Sequence, residues 1–137
     1  DDDDGGTDRG AVYILFLNGD ATVRSHQKIS DLEGGFEGAL VNYERFGTSV
    51  SLIGDLDGDN VPDIAVGAPG KYWESTSPTG AVHMLFLRLD GTVQAHMTLS
   101  QAMGAFAGSL DAADGFGNSV ALLGDLDNGG TPLPTRN

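Results

Sequence analysis

Hydrophobic and polar residues alternate with period two in some stretches of this chain and run continuously apolar in others. In "TVQAHMTL" (92–99), Val93, Ala95, Met97 and Leu99 alternate with Thr92, Gln94, His96 and Thr98. That is the pattern of an antiparallel strand with one apolar and one wetted face. "TSVSLIG" (48–54) sets Val50 and Leu52 against Ser49 and Ser51 in the same way. "DIAVGA" (63–68) and "AVHMLFL" (81–87) are apolar on both faces, as inner strands are. "RLDG" supplies an Asp-Gly hairpin turn between the last two strands of the set. No segment holds a helical period, so the pattern predicts four antiparallel strands joined by tight turns.

The same set is written twice. "RGAVYILFLNGDATVRSHQKIS" (9–30) aligns with "TGAVHMLFLRLDGTVQAHMTLS" (79–100), and "FGTSVSLIGDLDGD" (46–59) with "FGNSVALLGDLDNG" (116–129). Ala11 answers Ala81 and Phe46 answers Phe116, so the offset is 70 residues in both halves (81 − 11 and 116 − 46). A repeated four-stranded unit that cannot bury both of its faces alone predicts the blades of a β-propeller. A sandwich of two similar sheets is the alternative. The fold class expected is therefore all-β, with two repeats of about 70 residues in a circularly permuted phase.

The phase divides the chain. Residues 1–30 read as strands three and four of a first blade, 31–45 as a connector and 46–99 as a complete blade. Residues 100–115 read as a second connector, and 116–137 as the first strand of the next blade with a degenerate copy of the acidic loop. Propellers close with four to eight blades, and two repeats cannot make a ring. Three or four copies joined head to tail would give six or eight blades, with strand one of one copy completing a blade of the next. "TPLPTRN" argues against this, because Pro132 and Pro134 lack the donors of a second strand.

Composition narrows the partners. The net charge of −13 makes nucleic acid and anionic membranes poor partners and cations good ones. With no cysteine there is no disulfide scaffold, thiolate metal site or cysteine nucleophile. The chain carries no apolar run long enough for a membrane span and no basic-then-apolar signal segment.

The chemistry is concentrated in "GDLDGDNVPDIAVGAP" (54–69). Asp55, Asp57, Asp59 and Asp63 occupy positions 1, 3, 5 and 9 of one loop, and the Val61 carbonyl stands at position 7. Alternate residues project toward one centre, which offers about five protein oxygens to a hard cation that takes six to eight. Without the cation the like charges repel; with it they clamp two inner strands together. An EF-hand is excluded, since Asn60 holds its glycine position and Val66 its glutamate position. Magnesium takes fewer protein ligands in a stricter octahedron, so Ca2+ is the better fit. The bland alternative, a solvated acidic turn, explains a lone Asp-x-Asp but not four aspartates in register against a buried strand. In the second copy Asp125 and Asp127 remain, while Gly129 and Leu133 replace the other two carboxylates. That loop is expected to be weak or vacant.

Phe46-Gly47, the acidic loop and Gly67-Ala68-Pro69 together resemble the FG-GAP repeat, which builds the N-terminal β-propeller of integrin α-subunits and many bacterial surface proteins. The resemblance implies a calcium loop between strands one and two of a blade, with Asp55, Asp57, Asp59, Val61 through its carbonyl, and Asp63 as ligands. Asn60 departs from the usual glycine, and asparagine also tolerates left-handed geometry. The second copy lacks its GAP segment.

Other residues carry less. His26 and His96 are repeat-equivalent and fall on polar strand faces, which suits surface or inter-blade packing better than catalysis. His83 answers Tyr13 in the third strand and calls for a hydrogen-bond partner. Tyr72 and Trp73, in the loop after strand two, serve equally well as binding anchors or as cover for a blade edge. No serine has a nucleophile-elbow context and no glycine-rich loop opens a helix, so no enzyme is expected. The reading that follows is an extracellular, calcium-stabilised module for adhesion or ligand binding, with copies of itself and an unknown protein or carbohydrate as partners. A non-catalytic part of a larger secreted hydrolase or surface protein is the alternative, and a purely structural assembly unit a third.

Overall fold

The computed structural model describes residues 4–71, 79–101 and 103–124. Six strands appear in order: β1 (Val12–Leu17), β2 (Val23–Ile29), β3 (Ser49–Gly54), β4 (Asp63–Ala68), β5 (Ala81–Leu87) and β6 (Val93–Leu99). They form a two-stranded sheet, β1-β2, and a four-stranded sheet, β3-β4-β5-β6, antiparallel throughout. The positions of these six strands are those read from the sequence pattern and its repeat, while the strand also expected from residue 116 on is not among them. Among the described residues the two sheets do not close into a ring. Residues 116–124 join no ladder among the described residues.

The repeat is preserved in detail. Val12 pairs with Ile29 as Val82 pairs with Leu99, and both hairpins shift register at the same place, Phe16/Leu17 and Phe86/Leu87. The turns match as well. Asp20 accepts from the N–H and hydroxyl of Thr22, and Asp90 accepts from those of Thr92. These bonds, the hydroxyl first, hold both carboxyls below the usual range.

The core lies between the two sheets. Val12 and Ile29 from β1-β2 pack with Ile64, Val66, Leu85, Leu87 and Val93 from the larger sheet, and Phe36 and Leu40 from the connector, with Phe46 just after it, fill the space between. Phe36 stacks on Phe46 at 4.9 Å between ring centres, and Phe106 on Phe116 at 5.1 Å. An aromatic pair thus joins each connector to the Phe-Gly that follows it, and burying such a ring contributes about 1.5–3 kcal/mol.

The Phe-Gly turns join the sheets. Phe46 forms a parallel bridge with Gly10, and Phe116 forms the equivalent bridge with Gly80. Gly47 and Gly117 have φ of 91° and 87°, and a Cβ on either would meet the carbonyl of Ala11 or Ala81. A glycine is required here by both backbone conformation and space. Gly67 in β4 faces the Gly117 carbonyl just as closely, and Ser49 donates its hydroxyl to that carbonyl at 2.8 Å. Gly47 N–H in turn donates to the Gly67 carbonyl at 3.1 Å. The FG and GAP glycines are therefore contact points of one junction.

Candidate metal centre

The loop between β3 and β4 owes its path to a shift in the strand ladder. Pairing runs from Ser49↔Gly67 to Leu52↔Ile64, then skips Ile53 so that Gly54 meets Asp63. Left-handed residues at Gly54, Gly58 and Asn60 (φ 80°, 83° and 68°) curl the chain between these ends. Asn60 thus adopts the geometry that its asparagine allows.

Aspartate side chains organise the curl. Asp55 accepts from the N–H groups of Gly58, Asp59 and Asn60 at 2.7, 3.1 and 2.9 Å. Asp57 accepts from Asp59 N–H at 3.2 Å. Asp63 is fully buried, and its two oxygens are held from opposite sides, by Leu56 N–H at 2.8 Å and Leu87 N–H at 3.1 Å. Asp63 therefore ties the loop to the end of β5 as well as to β3.

Asp55, Asp57 and Asp63 each place a carboxylate oxygen within 4.8 Å of the others. Opposite ligands of one calcium ion, at 2.3–2.6 Å each, stand about 5 Å apart, so the three oxygens fit one coordination sphere. The donor set is all hard oxygen and can hold a divalent cation. Asp59 lies outside this group of three; it accepts from Val61 N–H at 2.7 Å within its own turn. Val61 is half-buried and packs its side chain against the core. Asp57 holds its proton above the usual carboxyl range. Desolvation is the main cause, repulsion from Asp59, Asp63 and Asp55 adds to it, and the Asp59 N–H opposes it. Asp125 and Asp127 of the second loop, and Tyr72 and Trp73, lie outside the described residues.

A second polar group escaped the sequence reading. Glu44, fully buried in the connector, accepts from Val41 N–H at 2.8 Å, from Lys71 Nζ at 3.0 Å, and meets His83 Nε2 at 3.0 Å. His83 Nδ1 lies 3.0 Å from the Thr98 hydroxyl. A ring carrying its proton on Nε2 satisfies every member: it donates to Glu44 and accepts from Thr98. The expected partner of His83 is thus a pair, and Phe36 and Phe46 pack edge-on against its ring. One signal was available. Asp114 stands 70 residues on and accepts from Asp111 N–H at 2.8 Å, the bond that Glu44 makes to Val41. His96 packs on Phe36 at 5.1 Å, and burial, followed by the nearby His83, lowers its pKa. His26 lies 5.8 Å from Tyr13. Both histidines pack, as their polar-face positions suggested.

These features define an all-β, blade-like module with an acidic loop at one strand junction. Residues 46–85 match the family model of the FG-GAP repeat. The chain is 34% identical to integrin alpha-5 of Xenopus laevis over 124 residues, 90% of this chain and 10% of the integrin. It is 36% identical to phosphatidylinositol-glycan-specific phospholipase D of Bos taurus over 80 residues, 56% of this chain and 9% of that protein. The chain spans about a tenth of the length of these curated relatives. Together the matches support an FG-GAP and integrin-like assignment for the blade. Among the described residues no helix is long and apolar enough to cross a membrane.

Proposed function

We propose that this chain is a calcium-binding β-propeller module for extracellular adhesion or ligand binding, without an enzymatic activity of its own. Ca2+ would be held by Asp55, Asp57, Asp59, the Val61 carbonyl and Asp63, with water completing the shell. The observation that carries this reading is the convergence of Asp55, Asp57 and Asp63 oxygens within 4.8 Å at the β3–β4 junction. When bound, the ion supplies charge neutralisation and no reaction chemistry. The chain's own residues do the positioning: Asp63 anchors the site to β5, and Asp55 folds the loop over it.

Titration calorimetry tests the site. An extracellular module is expected to bind with a Kd of about 10⁻⁴–10⁻³ M. Asp57→Ala removes an exposed proposed ligand that accepts one hydrogen bond among the described residues, so heat at millimolar calcium should disappear while the fold stays intact. Absence of heat from the wild-type chain would end the calcium reading.

The blades proposed are those expected from the repeat, with β1-β2 as strands three and four of one and β3-β6 as the next. Head-to-tail assembly of three or four chains would complete the ring, with an unknown protein or carbohydrate as the ligand. Light scattering on the purified chain decides the assembly: a mass of three or four chains supports it, and a monomeric mass removes it. A second reading has its own support. The similarity to a phospholipase D over a small part of that protein is what a non-catalytic segment of a larger hydrolase would show.

A further inference from the structure

We propose that the polar cleft between the two connectors binds a sugar acid, a hexose-sized ring carrying one carboxylate, through Tyr43, Arg45, Asp114 and Asn118. The proposal rests on the ligand-binding reading above and names the ligand's chemistry. It uses neither the calcium loop nor ring closure.

The cleft measures about 370 Å³, and Tyr43, Arg45, Gly70, Asp114, Gly115 and Asn118 are among its lining residues. That volume lies in the range of small-molecule sites. Its walls are held by backbone hydrogen bonds. Tyr43 N–H donates to the Thr7 carbonyl at 2.8 Å, Arg45 N–H to Asp8 at 3.1 Å and Gly70 N–H to Glu44 at 3.0 Å. In the second connector Asp114 N–H donates to Asp111 at 3.2 Å, and Asn118 N–H to Gly115 at 2.9 Å. A Cβ on Gly70 would strike the Tyr43 carbonyl, so these two segments sit as close as backbone allows. Tyr43 and Arg45 have φ of 65° and 58°, left-handed values that cost a side chain-bearing residue energy. Seventy positions on, Ala113 and Gly115 follow the same path at 67° and 65°. The backbone therefore needs neither an aromatic ring nor a guanidinium there, and glycine is the unstrained choice at the second position. Two large side chains kept at strained positions on a cleft wall point to a role for the side chains themselves.

Charge selects the ligand. Arg9, Lys28 and Lys71 are each paired with a carboxylate, and Arg88 donates to the Val93 carbonyl. Arg45 is exposed, and its guanidinium makes no ion pair or hydrogen bond among the described residues. A guanidinium so placed takes a carboxylate through two parallel hydrogen bonds. A dianion or a strongly acidic peptide is disfavoured by Asp114 in the same cleft and by the net charge of −13. A single carboxylate surrounded by hydroxyls suits all the lining groups. Asp114 holds one oxygen on Asp111 N–H at 2.8 Å, and its carboxylate can accept from a hydroxyl as well. The Asn118 amide can both donate to and accept from a second hydroxyl. Tyr43, 51% exposed, supplies the apolar surface on which a pyranose ring packs.

Amide NMR of the whole chain titrated with sodium glucuronate tests this. Saturable shifts at Tyr43, Arg45, Gly70, Gly115 and Asn118 are expected at millimolar sugar. Glucose has the ring without the carboxylate, and acetate and N-acetylaspartate amide have the carboxylate without the ring. Each should bind about tenfold more weakly or worse. Arg45→Gly gives the first connector the residue that the second carries at the same φ, so it should fold as the wild type does. It should weaken glucuronate by about tenfold or more, the loss of a charged hydrogen bond. Tyr43→Ala makes the matching exchange two residues earlier and should weaken it less. No saturable shift at these amides, glucose or a simple carboxylate binding as tightly as glucuronate, or an unchanged affinity in Arg45→Gly overturns the site. Calcium is titrated in the same way and should move the amides of 55–63. Shifts at the cleft with none at the loop keep the sugar site and end the calcium reading; shifts at the loop alone do the reverse.

Discussion

Glu44→Ala should destabilise the chain by about 3–5 kcal/mol, the cost of breaking a buried charge pair by removing one partner. The substitution leaves Lys71 Nζ, His83 Nε2 and Val41 N–H without their acceptor, with His83 fully buried, Lys71 largely so and Val41 partly exposed. The backbone bond from Gly70 N–H to the Glu44 carbonyl survives the substitution, whereas Lys71, just beyond β4, loses the carboxylate that anchors it. Chemical denaturation reads the loss directly. Glu44→Gln is the control. Its amide oxygen can still accept one bond, so it should lose clearly less than Glu44→Ala. Equal losses, or a loss from Glu44→Ala within the range of an exposed substitution, would show that the network contributes little.

This network marks where the sequence stopped being legible. Strand positions could be read because period-two alternation reports a local constraint, and the 70-residue offset repeated it. The acidic loop could be read because Asp55, Asp57, Asp59 and Asp63 lie within nine residues. Glu44, by contrast, meets its partners 27 and 39 residues away. Nothing near "NYERFG" distinguishes a buried glutamate from a solvated one. Asp63 was legible as a candidate ligand, but not as the residue that caps β5 through Leu87. The divergence of Asp59 from its three companions also escaped. Alternation places a carboxylate on the inner side of a loop, but a competing N–H two residues on, here that of Val61, decides where its oxygen rests. The FG and GAP glycines were visible as a motif; their reason, carbonyls of Ala11, Ala81 and Gly117 pressed against the α-carbons, is a contact between blades.

Asp63→Ala should act twice, and the two effects separate in solution. In chelator it removes the acceptor of Leu56 and Leu87 N–H, of which the second is buried. An unsatisfied buried donor costs about 1–3 kcal/mol, so a loss of about 2–4 kcal/mol is expected for the pair with no metal present. In calcium the wild-type chain gains a further increment that the variant cannot. At a free concentration 100 times Kd that increment is about 2.7 kcal/mol. The gap between the two proteins should therefore widen when calcium is added. Asp57→Ala forms the contrast: it relieves repulsion from Asp55, Asp59 and Asp63, so its calcium-free midpoint should stay level or rise, while its response to calcium disappears. Denaturation midpoints of the three proteins, each with and without calcium, give the comparison. If Asp63→Ala loses nothing in chelator, the carboxylate does not hold β5. If its gap to wild type is the same in both buffers, the loop does not use Asp63 to hold the ion.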